Sequence, residues 1–139
     1  MTSRLEIDKI VNFFRDFNRN KDLVLYNCTS GYPVSFEEVC LLEINYLKNT
    51  YSDCVKDIGF SGHHLGIAVD IAAVTLGANF VERHFTLDRT WKGTDHAASL
   101  EPDGLRKLVR DISAVKKSLK YKESDILPIE AEQRAKFGK

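Results

Sequence analysis

Two hydrophobic periods alternate along this sequence, and each predicts a different kind of secondary structure. Apolar residues recur at helical spacing in several segments, which is typical of amphipathic helices. Short apolar runs between those segments are typical of strands. The predicted helices occupy residues 5–17, 35–47, 65–76 and 102–119, and the predicted strands occupy residues 23–28, 55–60 and 80–85. This alternation predicts an α/β fold in which right-handed crossovers join parallel strands.

Capping residues mark several of the predicted helix ends. Ser3 and Glu6 form a capping-box pattern before the first helix, and Ser35 and Glu38 form another before the second. Pro102 suits the first position of the last helix. Residues 1–120 are predicted to form one domain, and residues 121–139 are predicted to be a charged tail or linker.

Charge and hydropathy exclude two classes of partner. Twenty basic residues balance 20 acidic ones, so bulk charge does not favour a nucleic acid or an anionic membrane. The longest apolar run, residues 65–76, contains Asp70 and is too short to span a bilayer. We therefore expect neither a nucleic acid nor a membrane as a partner.

Cysteine usage and the first residues suggest a compartment. Cys28, Cys40 and Cys54 are odd in number and form no CxxC pair, which favours packed thiols in a reducing compartment. The first ten residues, MTSRLEIDKI, lack the apolar segment of a secretory signal. We expect a cytoplasmic protein.

Polar residues of chemical types follow each predicted strand, in the segments CTSGYP (28–33), SGHH (61–64) and ERHFTLDRTWKGTDHAAS (82–99). Parallel sheets bind ligands at the carboxyl ends of their strands. Neighbouring strands lie ~4.8 Å apart, so His63 and His84 can converge if their strands are adjacent. Two imidazoles suit a catalytic divalent metal that keeps open coordination positions, and a substrate oxygen would help to complete the ligand set.

Each of these histidines also has a structural explanation. His63 at a loop start can act as a cap or a hydrogen-bonding group, and His84 in an apolar strand can be a satisfied core histidine. His64 is best interpreted as the start of the following helix. Ser61 is either a turn hydroxyl or a donor to a phosphate, helped by the free N–H groups of that helix.

The remaining polar residues are equally open when each is taken alone. Glu82 and Arg83 can pair with neighbouring charges, and Asp95 can form an Asx-type turn. Tyr32 can belong to a rigid loop before a proline, and Cys28 can be inert packing. The joint position of these residues at the strand ends is what favours a site.

These residues resemble a known family. The segment GFSGHHLGIAVDIAAVTLGANFVERHFTLDRTWKGTDHAASLEPDGL resembles the signature region of N-acetylneuraminate (sialic acid) synthases, and CTSGYPVSFEEV resembles the segment before it. The similarity runs from about Leu23 to Ile112. Many bacterial members have Asp where this chain has Gly62, and the Ser-Gly-His version is similar to the animal-type branch that acts on N-acetylmannosamine 6-phosphate.

The resemblance implies a transferase with a (β/α)8 TIM barrel that condenses phosphoenolpyruvate with N-acetylmannosamine or its 6-phosphate. It implies that His63 and His84 are catalytic and bind a divalent metal, Mn²⁺ or Mg²⁺. It further implies that Ser61 holds phosphoenolpyruvate, and that Tyr32 and Asp95 contact the acceptor sugar. The three predicted strands correspond to the last three of the barrel.

By the same resemblance, the first five strands and the C-terminal domain of the family are missing, and residues 121–139 lead toward that domain. We expect the isolated chain to be marginally stable, to associate through exposed apolar surface and to lack synthase activity. Its expected partners are another copy or a complementing half-barrel. The alternatives are a non-enzymatic remnant, a split-protein half, or a synthase of another nonulosonic acid.

Overall fold

The computed structural model describes residues 1–138 and confirms the alternation of helices and strands. The helices are α1 (Arg4–Asp16), α2 (Glu43–Tyr51), α3 (Ala68–Thr75), α4 (Pro102–Ser118) and α5 (Pro128–Phe137). The strands are β1 (Val24–Cys28), β2 (Asp57–Gly62) and β3 (Phe80–Arg83). The capping box predicted at Ser3 and Glu6 is present at the start of α1.

The three strands form one parallel sheet in the order β1-β2-β3. In its register, Cys28 lies opposite Ser61, and Ser61 lies opposite Glu82. Because all strands run in the same direction, their carboxyl ends meet at one edge of the sheet. The α/β class predicted from the hydrophobic pattern is therefore confirmed.

One face of this sheet packs against the helices. Ile58 and Phe60 of β2 are almost fully buried and belong to one core cluster with Val11 of α1, Ile44 of α2 and Ala73 of α3. Side chains alternate between the two faces along a strand, so every second residue of β2 enters this core. The core thus holds the central strand against three helices.

The opposite face of the sheet is largely open. By strand alternation and register it carries Tyr26, Gly59 and Phe80 in one row, then Cys28 and Glu82 in the next. Tyr26 and Phe80 remain 38% and 39% exposed. The Tyr26 ring approaches Gly59 so closely that an added Cβ would lie 2.6 Å from its Cε1 atom. Half of the sheet surface is therefore not covered by residues 1–138.

The prediction of the second helix, over residues 35–47, was wrong in its first part. Residues Phe36–Val39 form a short 3-10 helix, and Cys40 then takes a left-handed conformation with φ of 49°. The amide of the buried Asn27 lies 3.5 Å and 3.4 Å from the carbonyl oxygens of Val39 and Cys40. This long-range contact favours a break that local periodicity does not reveal. Ser35 makes no backbone cap and instead donates to the Glu38 carboxylate.

The boundaries of β2 and α3 lie later in the chain than predicted. Val55 is buried, but its N–H donates to the Tyr51 carbonyl in the turn after α2, so its apolar character reflects the core and not a strand. β2 extends through Gly62. α3 begins at Ala68 and not at Leu65, because Gly66 adopts a φ of +80°, outside the helical region.

β3 ends at Arg83, two residues before its predicted end. Phe85 then forms a single parallel bridge with Leu100, on either side of a long loop. That loop contains the short 3-10 turn His96–Ala98. α4 begins with Pro102 at its amino terminus, as predicted.

The predicted charged tail contains a helix that the sequence pattern did not reveal. Within residues 121–138, α5 spans Pro128–Phe137, and the Glu130 carboxylate accepts from the Leu127 N–H and from Lys122. The exposed faces of α5 give little hydrophobic periodicity, which explains the omission. None of the helices within residues 1–138 is long and apolar enough to cross a membrane.

Candidate active site at the strand ends

His63 and His84 lie next to each other at the carboxyl edge of the sheet. His63 directly follows β2 and His84 directly follows β3, and these two strands are paired. Their ring centroids are 5.1 Å apart, with an angle of 75° between the ring planes. The convergence predicted from the strand ends is therefore present in the fold.

A backbone carbonyl orients the His63 ring. Its Nδ1 atom lies 3.0 Å from the carbonyl oxygen of Thr29, in the loop after β1. A carbonyl oxygen can only accept, so Nδ1 must donate, and in the neutral imidazole Nε2 then keeps its lone pair. His63 itself is 95% buried, since only 5% of its surface is exposed. This arrangement is the one that holds an imidazole ready to bind a metal or accept a proton.

Tyr32 completes a group of three rings from three strand ends, which we call the strand-end cluster (Tyr32, His63 and His84). The Tyr32 ring centroid lies 4.7 Å from that of His63 and 5.3 Å from that of His84. Tyr32 is 43% exposed, so its ring forms the outer wall of the cluster. The loop after β1 therefore contributes both an orienting carbonyl and an aromatic wall.

Asp95 approaches the same cluster from the loop after β3. Its Oδ2 atom lies 3.6 Å from Nδ1 of His84, beyond hydrogen-bond distance but within reach of a charged imidazolium. Thr94 donates to the other carboxylate oxygen at 2.7 Å. The loop thus brings a negative charge beside His84, in agreement with the predicted grouping.

Ser61 is a strand residue and not a turn residue. It is buried, and its Oγ donates to the Glu82 carboxylate at 2.8 Å across the β2–β3 ladder. Because α3 begins at Ala68 and not at Leu65, the helix N–H groups lie farther along the chain from Ser61 than predicted. Ser61 and Glu82 instead form a polar pair on the open face, below the strand-end cluster.

Glu82 was assigned no particular partner from the sequence. Its position could have been inferred from strand alternation, because Glu82 shares a face with His84, two residues later. Burial raises the pKa of the Tyr26 phenol, and the nearby Glu82 charge raises it further by a smaller amount. Both groups belong to the open face of the sheet.

The interpretation of His64 as the start of a helix was wrong. Its side chain is fully buried, and Nε2 lies 3.3 Å from the carboxylate of Asp70. That carboxylate also receives a hydrogen bond from Arg83. These three side chains form a buried cluster behind the site. The sequence gives no local indication of it, since its members come from three separate elements.

The packing around Gly62 leaves no space for a Cβ atom. Gly62→Ala is therefore expected to lower the free energy of unfolding by about 1–3 kcal/mol. A Cβ here would lie 2.9 Å from His64 Cε1, 2.9 Å from Phe60 Cε1 and 3.0 Å from Asp70 Oδ1. All three neighbours are buried and cannot move aside freely. Denaturant unfolding of the Gly62→Ala variant measures the loss.

Gly104 provides the matched control for this substitution. It lies in the first turn of α4, and its added Cβ would make ordinary contact with Leu100 Cδ2 at 3.5 Å. Gly104→Ala is expected to be neutral or to stabilise by roughly 0.5–1 kcal/mol, because alanine lowers the entropy of the unfolded chain. Equal stability of the Gly62 and Gly104 variants would contradict the packing argument.

The residues present can contribute two metal ligands. No group of three or more His, Cys, Asp or Glu side chains that could hold a metal ion occurs within residues 1–138. The adjacent His63 and His84 rings nevertheless fit a divalent cation as a partial ligand set, because His63 Nε2 keeps its lone pair. Any cation held here would take its other ligands from elsewhere.

Comparisons with known proteins agree with the sequence motifs. Human N-acetylneuraminate-9-phosphate synthase is 45% identical over 120 residues, which are 86% of this chain and 33% of that protein. The N,N'-diacetyllegionaminic acid synthase of Campylobacter jejuni is 38% identical over 115 residues, covering 82% and 34%. This chain therefore spans about a third of the length of the curated relatives it matches.

A solved structure has the same arrangement of elements. The N-acetylneuraminic acid (sialic acid) synthetase of Leptospira borgpetersenii serovar Hardjo-bovis, crystallised with citrate, superimposes with a TM-score of 0.80 at 32% identity. The superposition covers 99% of this chain and 47% of that chain. The NeuB family model matches residues 1–124. The chain therefore belongs to the NeuB family, in agreement with the resemblance of its motifs to those of N-acetylneuraminate synthases.

Proposed function

We propose that this chain forms a sector of the catalytic barrel of a nonulosonic acid synthase. The reaction joins phosphoenolpyruvate to N-acetylmannosamine or its 6-phosphate and yields N-acetylneuraminate or its 9-phosphate. The observation that carries the proposal is the strand-end cluster, in which two imidazoles and a tyrosine meet at three parallel strand ends. The human relative, named for the 9-phosphate product, supports the phosphorylated acceptor.

The open sheet face supports a place within a (β/α)8 barrel. Helices cover one face of the sheet, while Tyr26 and Phe80 on the other are partly exposed. In a closed barrel that second face would be the packed interior, and strands would pair with the outer edges of β1 and β3. The remaining strands would come from other polypeptide sequence, or a second copy would cover the face. Such a partner would also supply the further substrate contacts.

His63 and His84 would hold the divalent cation, Mn²⁺ or Mg²⁺. A bound cation would supply Lewis-acid polarisation of the acceptor aldehyde. His63 would present Nε2, because Thr29 holds its Nδ1 proton. Tyr32, beside both rings, would limit the space open to the sugar. Asp95 would contact a sugar hydroxyl while it balances charge near His84.

Ser61 would hold phosphoenolpyruvate from below the cluster. Its hydroxyl has a single proton, which Glu82 now accepts, so binding requires an exchange of partners. Substrate positioning is then the main task of these residues. C3 of phosphoenolpyruvate would form the new bond to the aldehyde carbon, and the aldehyde oxygen would take up a proton. Water would add at C2 and lose its protons as C2 becomes a ketone, and the C2–O bond to phosphate would break.

An assay of phosphate release tests the proposal. It contains phosphoenolpyruvate, Mn²⁺ and N-acetylmannosamine with or without its 6-phosphate. We expect no turnover by this chain alone, and turnover after it is mixed with an N-terminal half-barrel taken from the human relative. The chain alone should be inactive because its described residues supply only part of the metal ligand set, and the half-barrel would supply the rest. Turnover by the chain alone would contradict the division of the site, and a stable but inactive complex would contradict the synthase function.

Another acceptor sugar is the second candidate. The relative named N,N'-diacetyllegionaminic acid synthase is 38% identical over most of this chain. The same strand-end cluster would then serve a different N-acetylated sugar. The assay is run in the same half-barrel complex with N-acetylmannosamine and, separately, with the acceptor sugar of the legionaminic acid synthase. The sugar that supports the faster phosphate release is the substrate.

The three free thiols suit a reducing compartment, so we place the reaction in the cytoplasm.

A further inference from the structure

Arg83 is a buried cation that the proposed chemistry does not use. It is the last residue of β3, and its side chain is only 3% exposed. Strand alternation places it on the face opposite Glu82 and His84, toward the helices. There it donates to the carboxylate of Asp70 in α3, which is also fully buried. The pair lies directly behind the strand-end cluster.

The guanidinium also binds backbone from two separate loops. Its Nη2 atom donates to the carbonyl of His64 at 2.8 Å and to that of Ala98 at 3.2 Å. Its Nη1 atom donates to the carbonyl of Gly66 at 2.8 Å. His64 and Gly66 belong to the loop after β2 (residues 63–67), and Ala98 belongs to the loop after β3 (residues 84–101). One planar, rigid fork of donors therefore ties the two loops together.

Both tied loops carry residues of the site. His63 immediately precedes His64 in the first loop. In the second loop, the Asp95 carbonyl accepts from the Ala98 N–H at 3.2 Å and from the Ser99 hydroxyl at 2.8 Å. A shift of Ala98 would therefore move Asp95, and a shift of His64 would move His63. The contacts of Arg83 restrict both shifts at once.

The cluster around Arg83 is poorly suited to a purely stabilising role. His64 Nδ1, Asp70 Oδ1 and Arg83 Nε are buried without a hydrogen-bond partner. Such atoms carry a desolvation cost, and buried ion pairs often stabilise no more than apolar residues of similar size. Fixed geometry of the two loops explains the cluster better than added stability.

We propose that Arg83 is a positioning residue that locks the loops after β2 and β3 into one unit and thereby sets the spacing of His63, His84 and Asp95. The part of this inference that concerns metal binding rests on the proposed function. The locking of the loops does not, since it follows from the hydrogen bonds of the guanidinium alone.

Hydrogen exchange of the full 139-residue chain tests the locking. Arg83→Lys keeps a positive charge beside Asp70, but a compact ammonium group cannot span both loops. We expect faster exchange in peptides covering residues 63–67 and 95–100, with exchange in β1 unchanged. The exposed Arg106, on α4, gives the control variant Arg106→Lys, for which no peptide should change.

Two results of this exchange experiment would overturn the proposal. One is unchanged exchange in both loops of folded Arg83→Lys. The other is equal loosening of β1, which would indicate general stabilisation in place of positioning. If Arg83→Lys fails to fold, the charge-neutral Arg83→Met/Asp70→Asn variant replaces it, because it leaves no unpaired buried charge. The same loosening of the two loops is expected there.

Mn²⁺ titration separates positioning from stabilisation, because a purely stabilising Arg83 would not affect the Mn²⁺ affinity of the folded protein. In the half-barrel complex, we expect Arg83→Lys to weaken Mn²⁺ binding on the order of 10-fold, as do changes to groups that orient metal ligands. Equal Mn²⁺ affinity in the wild type and in a loosened Arg83→Lys would overturn the link to the site. Absence of Mn²⁺ binding by the wild-type half-barrel complex would refute the proposed metal site, while the exchange data would still decide the locking.

Discussion

Replacing His84 by alanine is expected to abolish Mn²⁺ binding at the strand ends and to lower phosphate release on the order of 10³-fold in the half-barrel complex. The physical reason is the small number of ligands. Within residues 1–138 the site offers two imidazoles 5.1 Å apart, and no third His, Cys, Asp or Glu ligand joins them. Loss of one ring leaves a single nitrogen, which cannot hold a labile divalent cation.

Free Mn²⁺, measured by electron paramagnetic resonance during titration, reports this loss directly. His96→Ala is the matched control, because His96 lies in the same loop but bonds to Thr86 through Nδ1 at 2.9 Å. That variant should retain Mn²⁺ affinity. Unchanged Mn²⁺ affinity in His84→Ala would refute the ligand assignment, even if activity fell for another reason.

Phe60→Ala is expected to have the largest effect on stability, a loss of about 3–5 kcal/mol. Phe60 is 1% exposed and belongs to the core between β2 and the helices. Its removal would leave a cavity below the loop that carries His63. Since small domains have total stabilities of about 5–15 kcal/mol, this change should remove a large fraction of the free energy of unfolding.

Denaturant unfolding followed by circular dichroism measures the loss for Phe60→Ala. Phe137→Ala is the control, because Phe137 lies on α5 and is 76% exposed. We expect this control to change the free energy of unfolding by less than about 0.5 kcal/mol. Similar losses in the two variants would contradict the assignment of Phe60 to the main core.

The sequence predicted the position of His63 and His84 without structural help. Each follows a short apolar run, and parallel strands place such positions at one edge of a sheet. The helix-strand alternation was sufficient for that inference, because it depends on periodicity and not on precise boundaries. Even a shift of two residues in the limits of β2 left His63 at the strand end.

The same reasoning failed where distant residues decide the local structure. The apolar Val55 was assigned to a strand, yet it belongs to a turn that fills the core. The helix predicted through Cys40 is interrupted where the carbonyls of Val39 and Cys40 face the amide of Asn27. Local propensity is weak compared with such contacts, so tertiary packing overrides it.

The sequence by itself determined the α/β alternation, the parallel strand ends and the two imidazoles that meet there, because these follow from hydrophobic period and chain direction. Only the tertiary structure decided that His64 is buried with Asp70, that Ser61 donates to Glu82, and that Arg83 spans two loops. Those contacts join residues far apart in the chain. The partners of His64 and Arg83 are also selected by burial, where an unpaired charge is costly.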